Sequence, residues 1–246
     1  MRPHTLVTRL SKLCGKGWRW TTEGKLEFDH SRAGQKPNTP WIYHNSEFDC
    51  FPWFDIFWGI VTEKRAVHSR CQQCWKVVLV PRTLEDLVRV NAWQESLDVP
   101  CKCGIEKRTY TPRLYGAYFY TYSVEQGRER YAEVLSWAEE NLCAHPEVFL
   151  KRGCTEMEMT CGPSDTYTVS EDQAELEEQL NDILVYNPAL VPQPDIIKKA
   201  IYWDWVVFAY EHGDETYKTF TGGKPPVDVP PTPVMYHLEV DNEASK

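Results

Sequence analysis

The order of segments between residues 75 and 152 constrains this chain more than any other feature. "WKVVLV" (75–80) is a short β-branched run closed by Pro81, which predicts a strand. Thr83 with Asp86 three residues later makes a partial capping box. The helix it opens runs to about Leu97, with Leu84, Leu87 and Val88 on one face. "IEKRTYT" (105–111) reads as a second strand ending before Pro112, and "LYGAYFYTY" (114–122) as a third of high β-propensity. Ser123 with Gln126 caps a second helix, whose apolar stripe is Tyr131, Val134, Leu135, Ala138 and Leu142. "EVFLKRGCTEMEMTC" (147–161) predicts a last strand or a hairpin. The order β-α-β-β-α-β is the ferredoxin-like arrangement, in which two split βαβ halves share one antiparallel sheet with helices on one face. The expected fold class is therefore α+β.

Two close cysteine pairs fall inside this pattern, Cys71 with Cys74 and Cys101 with Cys103. A C-x-x-C pair at a tight turn presents two thiolates to one tetrahedral metal, and C-x-C followed by Gly104 can close the shell. Four thiolates favour zinc over magnesium or calcium. The basic neighbours Arg70, Lys76, Lys102 and Lys107 would offset the charge of a four-thiolate centre. Read this way, each pair immediately precedes a strand and the metal staples the core. Four ligands make a closed site, so the zinc is read as structural rather than catalytic. A thioredoxin-type motif fits less well, because here a strand rather than a helix follows the C-x-x-C pair. Cys154 and Cys161, with Cys143 before them, are a weaker candidate for a second site. In a strand, Cys154, Glu156 and Glu158 would share a face.

The rest of the chain frames this core. "WIYHNSEFDCFPWFDIFWGIV" (41–61) is dense in aromatics and predicts a segment packed on the core. Ser170 caps a helix over 171–184 with apolar Leu176, Leu180, Ile183 and Leu184 and an acidic outer face. Asp195 opens "IIKKAIYWDWVVFAY", read as a helix in preference to a strand, and "GGKPPVDVPPTPV" (222–234) is extended and proline-rich. The expected units are an aromatic-rich segment over 1–61, the zinc-binding core over 62–165, an acidic helical extension over 166–221 and a tail over 222–246.

The net charge of −9 is unevenly spread. Residues 132–246 hold 22 acidic and 7 basic side chains, a net −15, whereas residues 61–131 hold 12 basic and 8 acidic, a net +4. The acidic third would repel phosphate and the middle third could attract it. No apolar run is long enough to span a bilayer, and the basic N-terminus lacks the apolar stretch of a signal peptide. Nine cysteines, an odd number, argue against a disulfide framework. A cytoplasmic protein with no membrane association is expected.

The strand containing Tyr118, Tyr120 and Tyr122 partly follows the third-strand motif of RNA-recognition modules, with Arg113, Tyr115 and Gly116 in register. The three tyrosines share one face and would stack bases if that face is open. The competing expectation is a sheet covered by the acidic C-terminal third. No phosphate-binding loop, dinucleotide fingerprint, nucleophile elbow or zinc-protease motif occurs, so no catalytic residue is assigned. His44 near Asp49 and Asp55 is the best nuclease-like cluster.

"CQQCWKVV", "PCKCGIEKR", "YGAYFY" with "GRERY", and "FLKRGCTEME" with "GPSD" together resemble proteins of no assigned activity encoded by tailed phages, over roughly residues 70–165. The resemblance implies a viral context in a bacterial cell and no residue roles. The sequence reading is a non-enzymatic zinc-binding protein of phage type that contacts a host or viral protein. The alternatives are a single-stranded nucleic-acid binder using Arg113, Tyr118, Tyr120 and Tyr122, and a metal-dependent nuclease.

Overall fold

The computed structural model describes residues 3–15, 17–28, 39–45, 56, 67–185, 192–228, 232–233 and 236. The chain opens with α1 (Pro3–Leu10), then β1 (Trp18–Trp20) and β2 (Leu26–Phe28), which pair antiparallel. β3 (Trp41–His44) follows, and then a single-turn helix, α2 (Ser69–Gln72), that leads into β4 (Trp75–Val80). Next come α3 (Leu84–Ser96), β5 (Cys101–Ile105), β6 (Tyr115–Thr121), α4 (Val124–Asn141) and β7 (Glu147–Arg152). The rest is largely helical: α5 (Thr155–Cys161), α6 (Glu171–Ile183), the two-residue β8 (Leu184–Val185), α7 (Asp195–Glu211) and α8 (Lys218–Thr221). The protein is thus mixed α+β. Among the described residues, no helix is long and apolar enough to cross a membrane.

Local chemistry sets the helix starts. Thr83, Ser123 and Ser170 each stand in extended backbone and accept from the N–H three residues on, Asp86, Gln126 and Gln173. Each side chain satisfies one N–H that has no partner within its helix. The segment over 195–211 is a helix, as its length favours, although it is rich in β-branched and aromatic residues.

The large sheet has the order β3-β5-β6-β4-β7, with every neighbouring pair antiparallel. β4 and β5 therefore run parallel on either side of β6, and β6 and β7 on either side of β4. Alternation along the strands sorts the side chains. Val77 and Leu79, Cys101, Cys103 and Ile105, and Tyr115, Ala117 and Phe119 join one core with Leu84, Leu87 and Val90 of α3, Val134 and Ala138 of α4, and Trp205 and Phe208 of α7. Three helices thus cover one face of the sheet.

Two segments differ from their expected form. The second strand lies over Cys101–Ile105 rather than 105–111, because its register is fixed by distant partners, Tyr115–Phe119 on one side and Trp41–His44 on the other. The cysteine pair is therefore within the strand, not ahead of it. Gly104 lets β3 come close: a Cβ there would stand 2.1 Å from the Pro40 carbonyl oxygen and 2.9 Å from the Trp41 ring. The segment 147–161 is a strand followed by a helix, not one strand or a hairpin. Gly153, at φ +64°, turns the chain, and Cys154 takes the extended N-cap position of α5. The sequence reading assigns no helix to the region that forms α1.

A second, smaller core joins Leu6 and Leu10 of α1, Trp18, Leu26 and Phe28 of β1 and β2, Ile56, and Leu176 and Leu180 of α6. β2 pairs in parallel with β8, so the sheet β1-β2-β8 joins the N-terminal segment to the end of α6. The remainder of the aromatic segment, 46–55 and 57–61, lies outside the described residues.

A buried polar cluster ties α6 to α2. Glu177 accepts from the Ser69 N–H at 3.0 Å and from Gln173 Nε2 at 2.7 Å, and His68 Nε2 stands 3.7 Å from it. Burial pushes His68 down to about 4, against the pull of Glu177, with Arg70 adding to the fall. The imidazole is thus neutral in the folded protein and charged in the unfolded chain below about 6.5. The unfolded state binds more protons there, so stability is fully present above about pH 6.5 and falls as pH drops toward 4. Urea unfolding across this window should show the midpoint falling with acid, and His68→Asn should flatten the slope. An unchanged slope in the variant would assign the loss to other groups.

Candidate functional site

The face of the large sheet away from α3, α4 and α7 carries the side chains of alternate parity. β3 contributes Trp41 and Tyr43, β5 contributes Lys102, and β6 contributes Tyr118 and Tyr120. Lys76 and Val78 come from β4, and Phe149 and Lys151 from β7. The register brings Tyr43 opposite Lys102, Lys102 opposite Tyr118, Tyr118 opposite Val78, and Tyr120 opposite Lys76.

The two halves of this face differ. α5 closes the β4 side. Lys76, only 6% exposed, donates to the Cys154 thiol at 3.4 Å. Lys151 donates to Glu158 and Thr155, both at 2.9 Å. Arg108 pairs with the buried Glu106, meets Glu156 at 2.8 Å and donates to the Tyr118 hydroxyl at 3.1 Å. Tyr110 also donates to Glu156, at 2.6 Å. Burial would raise the Glu156 carboxyl, but the hydrogen bonds from Tyr110 and Arg108 outweigh it and hold the group at about 2. The carboxylates Glu106, Glu156 and Glu158 are thus each met by a cation on this face.

The β3-β5-β6 half is partly open, with Trp41, Tyr43, Lys102, Tyr118 and Tyr120 all half-buried. Lys102 Nζ stands 4.7 Å from the Trp41 ring, 5.5 Å from Tyr43 and 5.4 Å from Tyr118. Lys76 Nζ stands 5.8 Å from the Tyr120 ring. Trp41 meets Tyr118 edge to face at 5.5 Å. Lysine ammonium groups among ring faces are the composition that binds stacked bases and their phosphates together.

Of the residues singled out from sequence, Tyr118 and Tyr120 lie on this face. Tyr122 lies just beyond the strand and is exposed. Arg113 lies at the β7 edge of this face, its guanidinium 5.4 Å from the Phe149 ring and its Nε donating to Glu147 at 3.0 Å. The acidic third does not cover the tyrosines as a unit. Among the described residues, α6 packs on the small core and α7 on the opposite face, and α5 reaches the tyrosine side. Trp41, Tyr43 and Lys102 were not singled out for this site, because β3 and β5 meet only through long-range pairing. His44 bonds Asn91 at 3.0 Å, and Asp49 and Asp55 lie outside the described residues.

The sheet stands between the two cysteine pairs. Cys101 and Cys103 are fully buried against α3, their thiols directed at the Gln94 carbonyl, 3.7 Å, and Asn91 Oδ1, 3.5 Å. Burial pushes Cys101 up to about 12, Arg130 pulling the other way, and raises Cys103 well above the usual thiol range. Cys74 lies one residue before β4 with the parity of Lys76, hence on the opposite face. Burial raises it too, but Lys76 and Lys102 counter the rise. Among the described residues, no three His, Cys, Asp or Glu side chains already stand together as ligands of one metal ion. No protein-family model matches this chain, and no curated protein and no solved structure matches it either.

Proposed function

We propose that the protein binds single-stranded nucleic acid on the half-open sheet face formed by Trp41, Tyr43, Lys102, Tyr118 and Tyr120. The observation that carries this reading is the position of Lys102, within 5.5 Å of three aromatic rings on the half of the sheet face that α5 leaves partly open. We read the core as ferredoxin-like on the strand order β5-β6-β4-β7, and in such sheets the face opposite the two crossover helices is the one that receives bases. The rings supply stacking surfaces and Lys102 the countercharge for phosphate. No catalytic step is assigned.

The net charge of −9 opposes any polyanion, but its range is limited. Exposed charges beyond about 8 Å are largely screened at physiological salt. Among the described residues, the carboxylates on this face, Glu106, Glu156 and Glu158, are met by Arg108 and Lys151. Local stacking therefore outweighs distant repulsion. Fluorescence anisotropy of the intact protein with a labelled single strand is expected to show binding that weakens as salt rises, with a shallow slope because few phosphates are neutralised. Absence of binding at low salt would refute the proposal.

A second reading, contact with a protein partner, is favoured by Ile196 and Trp203. They are 73% and 51% exposed and lie two turns apart on α7. Trp203→Ala should leave oligonucleotide binding unchanged under the first reading.

A further inference from the structure

We infer that α5 is an autoinhibitory lid whose carboxylates stand where phosphates would lie on the β4-β7 half of the sheet, and that a single strand long enough to cross the whole face displaces it. The inference rests on the nucleic-acid reading and extends it from the open half of the face to the covered half.

The covered half is built like the open one. Strands about 4.8 Å apart make β3 to β6 roughly 10 Å across and β3 to β7 roughly 19 Å. Lys76 Nζ stands 6.0 Å from the Tyr118 ring and 5.8 Å from Tyr120. At the far edge the Arg113 guanidinium stands 5.4 Å from the Phe149 ring, and Lys151 follows Phe149 on the same side of β7. Cations beside rings thus continue from β5 to β7. A face covered for packing alone would be apolar, as the side under α3, α4 and α7 is. Here the cover meets cations with carboxylates, Glu156 with Arg108 at 2.8 Å and Glu158 with Lys151 at 2.9 Å. Guanidinium and ammonium groups bind carboxylate and phosphate oxygens alike, so a phosphate can replace each glutamate without leaving a cation unpaired.

The helix is jointed at both ends. Gly153 before it has φ +64° and Gly162 after it φ +94°, a region open to glycine. Seven residues are about two turns, too few to be stable without tertiary support. Met157 is its buried residue, and among the described residues it joins neither apolar core, while Met159 is 64% exposed. Ion pairs therefore carry much of the hold, and partly exposed pairs are weak and exchangeable. The base of the segment is fixed. The Gly153 N–H donates to the Cys74 carbonyl at 2.8 Å, and Arg152, just before the helix, donates from Nη1 to the Ser164 carbonyl, just after it, at 3.0 Å. The loop is closed at its foot and α5 can lift from the sheet as a flap.

The test uses the full chain, labelled single strands of about three nucleotides, which the open half accommodates, and about ten, and hydrogen exchange read by mass spectrometry over 155–161. At saturation the short strand should leave exchange in α5 unchanged, and the long strand should speed it by roughly tenfold or more. Glu156→Gln with Glu158→Gln, which keeps side-chain size and removes both ion pairs, should bind the long strand roughly tenfold more tightly and the short strand within about twofold of the unaltered protein. If the variant does not fold, the exchange measurement on the unaltered chain decides. Long-strand binding that leaves α5 as protected as in the free protein, or more so, would overturn the inference and leave the nucleic-acid reading standing. An equal gain for both strand lengths would do the same, since it assigns the gain to lost negative charge alone. Absence of binding by either strand, in the unaltered protein and the variant alike, would remove the nucleic-acid reading and the inference together.

Discussion

Changing Trp205 to alanine is expected to lower stability by about 3–5 kcal/mol, the range for removing a large aromatic from a packed core. Trp205 is fully buried on α7, and its Nε1 donates to the Pro40 carbonyl at 2.8 Å. It therefore holds α7 against both the sheet and the segment that enters β3. The loss has two parts. The ring leaves a cavity beside Tyr202, whose ring centroid is 5.4 Å away, and the Pro40 carbonyl loses its donor. Trp205→Phe keeps much of the packing while removing the hydrogen bond, so it should cost less. Urea unfolding of the two variants separates the parts. A loss below about 1 kcal/mol for Trp205→Ala would mean that α7 is not anchored through this residue.

Changing Tyr118 and Tyr120 together to alanine should weaken single-strand binding by roughly 30-fold or more, with the fold retained. Each base stacked on an aromatic is worth roughly 1–3 kcal/mol, and two lost platforms give about 2–6 kcal/mol. Tyr118 has a second role, since its hydroxyl accepts from Arg108 at 3.1 Å. Tyr118→Phe removes that contact and keeps the ring, so its binding should stay close to that of the unaltered protein. Anisotropy read beside a thermal melt distinguishes lost stacking from lost structure. Equal affinity in the double variant would remove the tyrosine strand from the proposed interface.

Much of the architecture was legible because it is encoded locally. Thr83, Ser123 and Ser170 announce their helices by bonds that close within three residues. "WKVVLV" is a strand by its own composition, and β4 covers the same residues. What was not legible depends on distant partners. "CKCGI" has a spacing that suggests a metal knuckle, yet pairing with Tyr115–Phe119 makes it a strand that sends both thiols to the helices. "TEMEMTC" alternates like a strand, but it follows the positive-φ Gly153 and coils over Lys76 and Lys151. The same split holds at the site. Alternation along one strand placed Tyr118 and Tyr120 on a common face. Trp41, Tyr43 and Lys102 reach that face through the pairing of β3 with β5, which no local pattern specifies.

Photo-crosslinking of the intact protein to a single strand carrying a photoreactive base, with the crosslinked residues mapped by mass spectrometry, tests the central claim most directly. Crosslinks should fall on Trp41, Tyr43, Tyr118 and Tyr120, the rings grouped around Lys102 and Lys76. Crosslinks confined to other elements, such as the exposed Trp203 of α7 or the small sheet β1-β2-β8, would contradict it.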